Sequence, residues 1–256
     1  MANRSFYSSP DIYDLYHIYH SEKLENLLQK HYEKILGKRD ISSILDCSFG
    51  TGNITFILSK MGYKISGSDI SGEMLSKAKE KADNLELKTE LVQCDFRNLT
   101  SYWNKTFDCV MSTGNSLAHV NNSDLKKVLC EMDKLIRKGG YLYFDSRNWD
   151  LVLRRKQRFY YYNPFYKDDY RINIMQVWDY NNDSTITFNI LHSYEKEQLI
   201  EKREEYIEVY YPFSRECVLE ELEKLGYTNI EIHNYLSDKI NDYEKMEWYC
   251  IIAQKP

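Results

Sequence analysis

Short apolar runs alternate with helical patterns along most of this chain. Apolar residues within residues 11–36 recur at the spacing of one or two amphipathic helices, which end at Gly37. After them, apolar runs predict strands at residues 43–46, 64–69, 85–94, 107–112 and 141–145. Helical patterns lie between these strands, over residues 53–61, 71–83 and 123–136. Strands that alternate with helices are typical of βαβ units around a parallel sheet.

The last of these helices has the most regular apolar face. Ser123 is its predicted N-cap, and the pair Gly139-Gly140 is its predicted end.

Within residues 158–211, apolar and polar residues instead alternate one by one in several stretches, as in the strands of an antiparallel sheet. The runs 172–178 and 185–190 flank a turn-forming sequence and predict a hairpin, to which residues 205–211 add a third strand.

A helix over residues 214–225 and strands near 227–235 and 247–254 return to the α/β pattern. The whole pattern predicts a Rossmann-like, doubly wound α/β fold with a mostly parallel seven-stranded sheet. We expect residues 1–40 to form an N-terminal helical cap and residues 41–256 the main domain. Within that domain, residues 155–212 are the predicted antiparallel insertion.

The charge balance disfavours a nucleic-acid partner. The formal net charge is −5 at pH 7, so the chain lacks the excess of cations that neutralises a phosphate backbone. We interpret the basic run 154–158 as a solvated face, with nucleic-acid contact as the less favoured alternative. No apolar run approaches the roughly 20 residues that span a bilayer, and the N-terminus lacks the apolar region of a signal peptide. We therefore expect a cytoplasmic protein without a membrane partner.

The six cysteines are scattered, without a C-x-x-C pair or a histidine at metal-ligand spacing. They predict buried thiols in a reducing compartment and no metal site. The sequence leaves the oligomeric state open, and a homo-oligomer through the N-terminal helices is compatible with it.

A glycine turn follows the first predicted strand, in the sequence Phe49-Gly50-Thr51-Gly52-Asn53. Glycines at such a strand-to-helix junction allow positive φ and let a ligand lie against bare backbone. Asp69 ends the next strand, 17 positions after Gly52, close to the spacing at which an acid meets ribose hydroxyls. The third glycine of a dinucleotide motif is absent, which favours an adenosine derivative without pyrophosphate, such as S-adenosylmethionine, over NAD.

Carboxylates end three successive predicted strands, at Asp46, Asp69 and Asp95. Because the carboxyl ends of parallel strands share one edge, we expect the three to lie around one ligand. Asp95 with Phe96 is placed to accept from an adenine amino group and to stack on the ring. The alternative is that each is only a loop or cap residue.

Two further segments carry a resemblance to a known family. They are residues 113–119 after the fourth strand, Thr-Gly-Asn-Ser-Leu-Ala-His, and residues 145–150 after the fifth, Asp-Ser-Arg-Asn-Trp-Asp. With the glycine turn, the chain resembles the class I S-adenosylmethionine-dependent methyltransferases from about residue 40 to 254. Within that class it resembles the glycine and sarcosine N-methyltransferase group, which Tyr210-Tyr211-Pro212 and the antiparallel insertion also fit.

The resemblance implies S-adenosylmethionine as the cofactor and a set of site residues. Asn115 and Arg147 are expected to meet the acceptor, and Tyr16 and Tyr210 to close over the methyl-transfer centre. The sequence departs from the family pattern at Ser48-Phe49 and at Ser146. The predicted cofactor contacts are Tyr16, Asp46, Ser48, Gly50, Gly52, Asp69, Ile70, Asp95, Phe96, Thr113 and His119.

Each acceptor-side residue has a structural alternative. Arg147 suits an amino-acid acceptor because a guanidinium grips a carboxylate through two parallel hydrogen bonds, but it would also fit a surface arginine paired with Asp145 or Asp150. Asn115 would orient the amine through its side-chain oxygen. His119 is more typical of a structural hydrogen-bonding residue than of a base.

Tyr13 and Tyr19, at helical spacing from Tyr16, are expected to pack. The run Tyr160-Tyr161-Tyr162 and the pair Tyr210-Tyr211 either line a lid or simply pack a twisted sheet.

These observations predict a methyltransferase that transfers a methyl group to the amine of a small molecule, with glycine, sarcosine or a related amino acid as candidate acceptors. One alternative is a methyltransferase for an oxygen or nitrogen of another small metabolite. The other is a non-catalytic cofactor-binding module.

Overall fold

The structure is a computed structural model that describes residues 5–18, 21–237 and 239–256, and the side chains of all of these except residues 16–18 and 21. Helices and strands alternate along it in the predicted order. The α-helices in the described residues are α1 Pro10–Ile18, α2 Ser21–Leu36, α3 Phe56–Lys60, α4 Gly72–Asn84, α5 Asn122–Lys134, α6 Trp149–Arg155 and α7 Arg215–Lys224.

Seven strands form the main sheet: β1 Ser43–Asp46, β2 Lys64–Asp69, β3 Glu90–Gln93, β4 Phe107–Ser112, β5 Ile136–Arg147, β11 Thr228–Asn234 and β12 Trp248–Gln254. Their order across the sheet is β11-β12-β5-β4-β1-β2-β3. β12 pairs antiparallel with both β5 and β11, and the pairs among β1 to β5 are parallel. This confirms the predicted mostly parallel seven-stranded sheet. The order reverses between β1 and β4, so a crevice opens outside their carboxyl ends.

The remaining strands form a second sheet, from β6 Phe159–Tyr161, β7 Phe165–Lys167, β8 Tyr170–Tyr180, β9 Ile186–Lys196 and β10 Leu199–Tyr210. Its order is β10-β9-β8-β6, with β7 also paired to β8, and all of these pairs are antiparallel. The predicted hairpin corresponds to β8 and β9, and the predicted third strand to β10. The division into cap, main domain and insertion at residues 1–40, 41–256 and 155–212 stays a prediction.

Two apolar clusters cover the two faces of the main sheet. In β4, Val110 belongs to one cluster, whereas its neighbours Cys109 and Met111 belong to the other. Successive side chains of a strand point to opposite faces, so this division follows from the strand geometry. The first cluster includes the apolar faces of α5 and α7, and the second includes those of α2, α3 and α4. Helices on both faces account for the near-continuous burial of β1 and β4.

Two predicted helix boundaries are wrong. The side chain of Asn121, rather than Ser123, accepts the hydrogen bond from the backbone of Asp124 and caps α5. α5 ends at Lys134, and Gly139-Gly140 lies within β5 instead of ending the helix. A Cβ on Gly140 would come within 2.8 Å of the Asp108 carbonyl oxygen, so this glycine permits close approach of β5 to β4.

Four of the six cysteines are buried as predicted, but Cys130 and Cys217 are only partly buried. Within the described ranges, no helix combines the length and the apolar character that crossing a membrane requires.

The capping of α5 gives a direct test of this structure. Replacing Asn121 with Ala removes a side-chain cap and is expected to lower the free energy of unfolding by about 1 kcal/mol. Ser123→Ala, two residues later in the same helix, is the matched control and should change it by less than about 0.5 kcal/mol. Urea denaturation followed by circular dichroism measures both. A larger loss in Ser123→Ala would contradict the observed cap.

Candidate functional site

A cavity of about 430 Å³ lies at the carboxyl ends of β1 to β4, where the strand order reverses. Its volume is within the range of small-molecule sites. The turn after β1 and the segments that follow β2, β3 and β4 line it, together with residues from the N-terminal segment. Of the predicted cofactor residues, those that line it are Ser48, Gly50, Asp69, Ile70, Asp95, Phe96, Thr113 and His119.

Gly50 and Gly52 have different structural roles in the turn. Gly50 has a φ of +55° and lines the cavity, and a Cβ on it would meet nothing within 4 Å. It therefore presents open backbone to the cavity in a conformation that favours glycine. Gly52 does not line the cavity, in contrast to its predicted cofactor contact. A Cβ there would come within 2.2 Å of the Phe56 ring, so Gly52 serves the packing of α3 against the turn.

Asp46, at the end of β1, is fully buried. The cavity lining does not include it, and its predicted contact with a ligand stays a prediction. The carboxylate accepts hydrogen bonds from the Ser48 backbone (3.0 Å), Thr55 Oγ1 (2.5 Å) and Thr113 Oγ1 (2.9 Å). Burial raises the pKa of Asp46, and these hydrogen bonds oppose the shift. Since a buried carboxylate needs such donors, Asp46 holds the turn after β1 and the loop after β4 in place.

Asp69, at the end of β2, both shapes the turn and faces the cavity. Its Oδ2 accepts from the Gly50 backbone at 2.8 Å, and its Oδ1 accepts from the Ser71 backbone at 2.9 Å. Burial raises the pKa of Asp69, and these backbone hydrogen bonds oppose that rise. Each carboxylate oxygen has two lone pairs, so Asp69 retains acceptor capacity toward hydroxyl groups in the cavity.

Asp95 lines the cavity but is already held by an arginine. Arg97 Nε donates to both Asp95 oxygens, at 3.0 and 2.9 Å, and Arg97 Nη1 donates to Asp124 at 2.9 Å. Partial burial favours the neutral acid, but the Arg97 hydrogen bonds outweigh it and lower the pKa of Asp95. Arg97 and Asp124 also line the cavity, and neither was predicted. Arg97 could have been predicted, because it lies two residues after Asp95 in the sequence. Asp124 is distant in the sequence, and only the fold brings it to the cavity.

An aromatic cluster closes another side of the cavity. The hydroxyls of Tyr7 and Tyr210 lie 3.0 Å apart, and the rings of both pack against His119, at 4.9 and 4.7 Å between centroids. Burial raises the pKa of Tyr210 to about 12 and lowers that of His119 to about 4. These groups are therefore neutral near pH 7.

Sequence reasoning missed part of this cluster. Tyr7 was not singled out, and Tyr13 was assigned to packing, yet both line the cavity. Tyr210 itself lies behind the lining residues, against Tyr7 and His119. Tyr16 was the tyrosine predicted to close over the centre, and its side chain lies outside the described residues.

The side-chain oxygen of Asn115 already has partners within the protein. It is buried with a φ of +66°, and its Oδ1 accepts from Ser146 Oγ at 3.0 Å and from the Arg147 backbone at 3.1 Å. The Ser146 hydroxyl also lies 3.0 Å from the Arg147 carbonyl oxygen, and its single proton serves one of the two acceptors. The predicted orientation of an amine by Asn115 stays a prediction. Asn115 joins the loop after β4 to the end of β5.

Arg147 lies among aromatic rings, outside the residues that line the cavity. Its guanidinium carbon is 4.9 Å from the ring centroid of Trp248, 5.1 Å from that of Trp178 and 5.8 Å from that of Phe188. The ring of Phe188 lies 4.4 Å from that of Tyr210, which in turn contacts the cavity residue His119. Tyr210 therefore stands between the cavity and the environment of Arg147.

The alternative pairing of Arg147 with Asp145 or Asp150 is not found. Asp145 accepts from Trp248 Nε1 at 2.9 Å, and Asp150 accepts from Tyr243 at 3.0 Å. No carboxylate lies within ion-pair distance of Arg147 in the part of the chain that the structure describes. A half-buried guanidinium without such a partner is a candidate anion-binding group.

Comparison with known proteins finds similarity to methyltransferases. Residues 44–140 match the family model described as a methyltransferase domain. The chain is 31% identical over 168 residues to a glycine/sarcosine N-methyltransferase of Aphanothece halophytica, covering 58% of this chain and 63% of that protein. It is 34% identical over 119 residues to a protein of the same name from Halorhodospira halochloris, covering 46% of this chain and 44% of that protein. The resemblance to these methyltransferases is confirmed. The alignments span only about half the length of the curated relatives.

Solved structures match over nearly the whole chain. A S-adenosylmethionine-dependent methyltransferase from Clostridium acetobutylicum aligns with a TM-score of 0.76 at 21% identity, covering 95% of this chain and 98% of that one. An amino pentose methyltransferase of Micromonospora echinaspora, solved with S-adenosylmethionine bound, aligns with a TM-score of 0.73 at 12% identity, covering 96% and 97%. At such identities the likeness establishes the fold, which is that of the Rossmann-like methyltransferases.

The neutral state of His119 predicts a pH dependence of stability. Its pKa falls from 6.5 to about 4 on folding, so the unfolded chain takes up the proton first as pH decreases. The stabilisation is therefore complete above about pH 6.5 and is lost as pH falls toward 4. Denaturant midpoints measured between pH 4 and 7.5 should fall less steeply for His119→Gln than for the unaltered protein. Parallel curves for the two proteins would show that His119 is not held neutral.

Proposed function

We propose that this protein is an S-adenosylmethionine-dependent methyltransferase that acts on the amine of a small molecule, with glycine, sarcosine or a related amino acid as the candidate acceptor. The observation that carries the proposal is the cavity at the strand-order reversal, lined by the bare backbone of Gly50 and the carboxylate of Asp69. The confirmed resemblance to methyltransferases supports it.

The charge of the cavity lining fits this donor better than a dinucleotide. Three carboxylates, Asp69, Asp95 and Asp124, line it, and Arg97 is engaged by two of them. Such a lining repels a pyrophosphate and favours a ligand that carries a sulfonium cation. Gly50 and Asp69 are the residues expected to hold the ribose, and Phe96 and Ile70 the adenine.

When bound, the donor supplies a methyl group that is already activated by the positive sulfur. What remains for the protein is to bring a neutral amine to that carbon in line with the departing sulfur, a positioning effect worth up to about 7–11 kcal/mol. The neutral side chains of Tyr7, Tyr13 and His119 line the cavity and would limit the access of water to the reacting groups. Since the pKa of His119 is about 4, it does not act as a base toward an ammonium group.

The aromatic environment of Arg147 supports an amino-acid acceptor. A guanidinium that has no carboxylate partner in the described residues is free to bind the acceptor carboxylate in a bidentate manner. Because Tyr210 separates Arg147 from the cavity, this proposal requires Tyr210 to move when the acceptor binds.

A second candidate is methylation of an oxygen or nitrogen on another small metabolite. The position of Tyr210 favours it, since an acceptor held only by the tyrosines and His119 would not need to reach Arg147. The non-catalytic cofactor-binding module is the third reading, and detection of methyl transfer to any metabolite removes it.

Donor binding is tested at Asp69. Asp69→Asn replaces a charged acceptor facing the ribose, and S-adenosylmethionine should bind about 10- to 100-fold more weakly, in line with the loss of a charge-assisted hydrogen bond. Isothermal titration calorimetry measures the change. Asp83→Asn, on the exposed face of α4, is the matched control and should bind as the unaltered protein does. If the unaltered protein itself shows no affinity for the donor, the proposed function fails.

The acceptor class is tested at Arg147. If the acceptor is an amino acid, Arg147→Ala should raise the KM for glycine or sarcosine at least tenfold and leave the Kd for the donor within about twofold. Arg155→Ala, which removes an exposed arginine paired with Glu247, is the control. Release of S-adenosylhomocysteine provides the assay. Unchanged kinetics in Arg147→Ala would favour the second candidate.

A further inference from the structure

A buried carboxylate on the N-terminal helix joins three elements that meet at the cavity. Asp14 of α1 is 5% exposed, and its Oδ1 accepts from Thr51 Oγ1 and from Asn53 Nδ2, both at 2.7 Å. Its Oδ2 lies 2.6 Å from Lys81 Nζ of α4. Lys81 also donates to Asn53 Oδ1 at 2.6 Å, which closes a ring of contacts. The network therefore ties α1 to the glycine turn and to α4.

This network lies behind the cavity wall. Thr51 and Asn53 belong to the glycine turn and line the cavity, as does Tyr13, the residue before Asp14 in α1. Asp14 itself does not line it. Any influence of Asp14 on a bound ligand must therefore pass through the turn and through the placement of Tyr13.

The same two helices also share an exposed ion pair, which gives an internal comparison. Asp11 of α1 lies 3.3 Å from Lys77 of α4, and its side chain is 79% exposed. An exposed pair of this kind contributes little, because solvent screens it and the long lysine side chain must be ordered. Loss of the buried Asp14 carboxylate instead leaves the Lys81 ammonium without its charged partner, and it removes the acceptor of the buried Thr51 hydroxyl and of the half-buried Asn53 amide.

We propose that Asp14 is a positioning residue for the donor site: it couples the docking of α1 to the conformation of the glycine turn. The inference rests on the proposed binding of the donor in this cavity. Coupling of this kind is reciprocal, so a donor that binds more tightly when α1 is docked must also hold α1 in its docked position.

The first experiment measures S-adenosylhomocysteine binding by calorimetry for Asp14→Ala, with Asp11→Ala as the matched control on the same helix. Asp14→Ala should bind at least tenfold more weakly, and Asp11→Ala within twofold of the unaltered protein. Thr51→Val removes only the hydroxyl that donates to Asp14 and should weaken binding about threefold, which provides a test even if Asp14→Ala does not fold. Equal affinities for all folded variants would overturn the proposal.

The second experiment separates coupling from a merely structural role. Hydrogen exchange of the α1 amides should slow when S-adenosylhomocysteine is added to the unaltered protein and to Asp11→Ala, but not to Asp14→Ala. Slowing by the same factor in Asp14→Ala would overturn the proposal.

The third measurement keeps the inference apart from the proposed function. If the unaltered protein does not bind S-adenosylhomocysteine, the proposed function fails. Amide hydrogen exchange measured without ligand then tests whether Asp14 holds the glycine turn. The amides of residues 47–56 should then exchange faster in Asp14→Ala than in Asp11→Ala. Identical exchange in these two variants would overturn the role of Asp14.

Discussion

The cavity depends on a carboxylate that does not line it. Asp46 is fully buried at the end of β1, and it is acceptable there only because backbone and hydroxyl donors from two loops converge on it. Thr55 comes from the turn after β1 and Thr113 from the loop after β4. Since β1 and β4 are the neighbours at which the strand order reverses, this one group holds both sides of the crevice together.

Around that anchor, the cavity is lined by both charged and uncharged groups. Carboxylates and an arginine follow β2 and β3, and the uncharged side chains of Tyr7, Tyr13 and His119 also line the cavity. The carboxylates suit a ribose and a cationic donor, and the uncharged groups suit a neutral nucleophile. The tyrosines are protonated at neutral pH even with an ordinary pKa, whereas for His119 desolvation lowers the pKa and so favours the unprotonated ring.

The N-terminal segment, which supplies Tyr7 and Tyr13 to the cavity lining, binds to both sheets. Glu208 of β10 accepts from Ser5 Oγ and from the Phe6 backbone, both at 2.6 Å, which fixes the segment to the antiparallel sheet. Asp14 fixes the following helix to the glycine turn of the main sheet. The wall that carries Tyr7 and Tyr13 therefore depends on contacts between residues up to 203 positions apart.

The sequence by itself determined the sheet and the edge of it at which the cavity lies. Strand alternation is a local property, and the carboxyl ends of parallel strands must meet, so Gly50, Asp69 and Asp95 were placed correctly at one edge. It did not determine which acids face the ligand. Asp46 and Asp69 both end strands, and only the packing of neighbouring loops decided that Asp46 would be buried and that Asp69 would line the cavity.

The same limit applies on the acceptor side. Whether Arg147 pairs with an acid, and whether the Asn115 oxygen is free, depends on β5, β12 and the second sheet coming together. The cap of α5 at Asn121 is likewise settled by backbone geometry, since Asn121 and Ser123 are both good capping residues. Local patterns thus decided the elements and their order, whereas long-range packing decided which polar groups are satisfied within the protein and which remain open to a ligand.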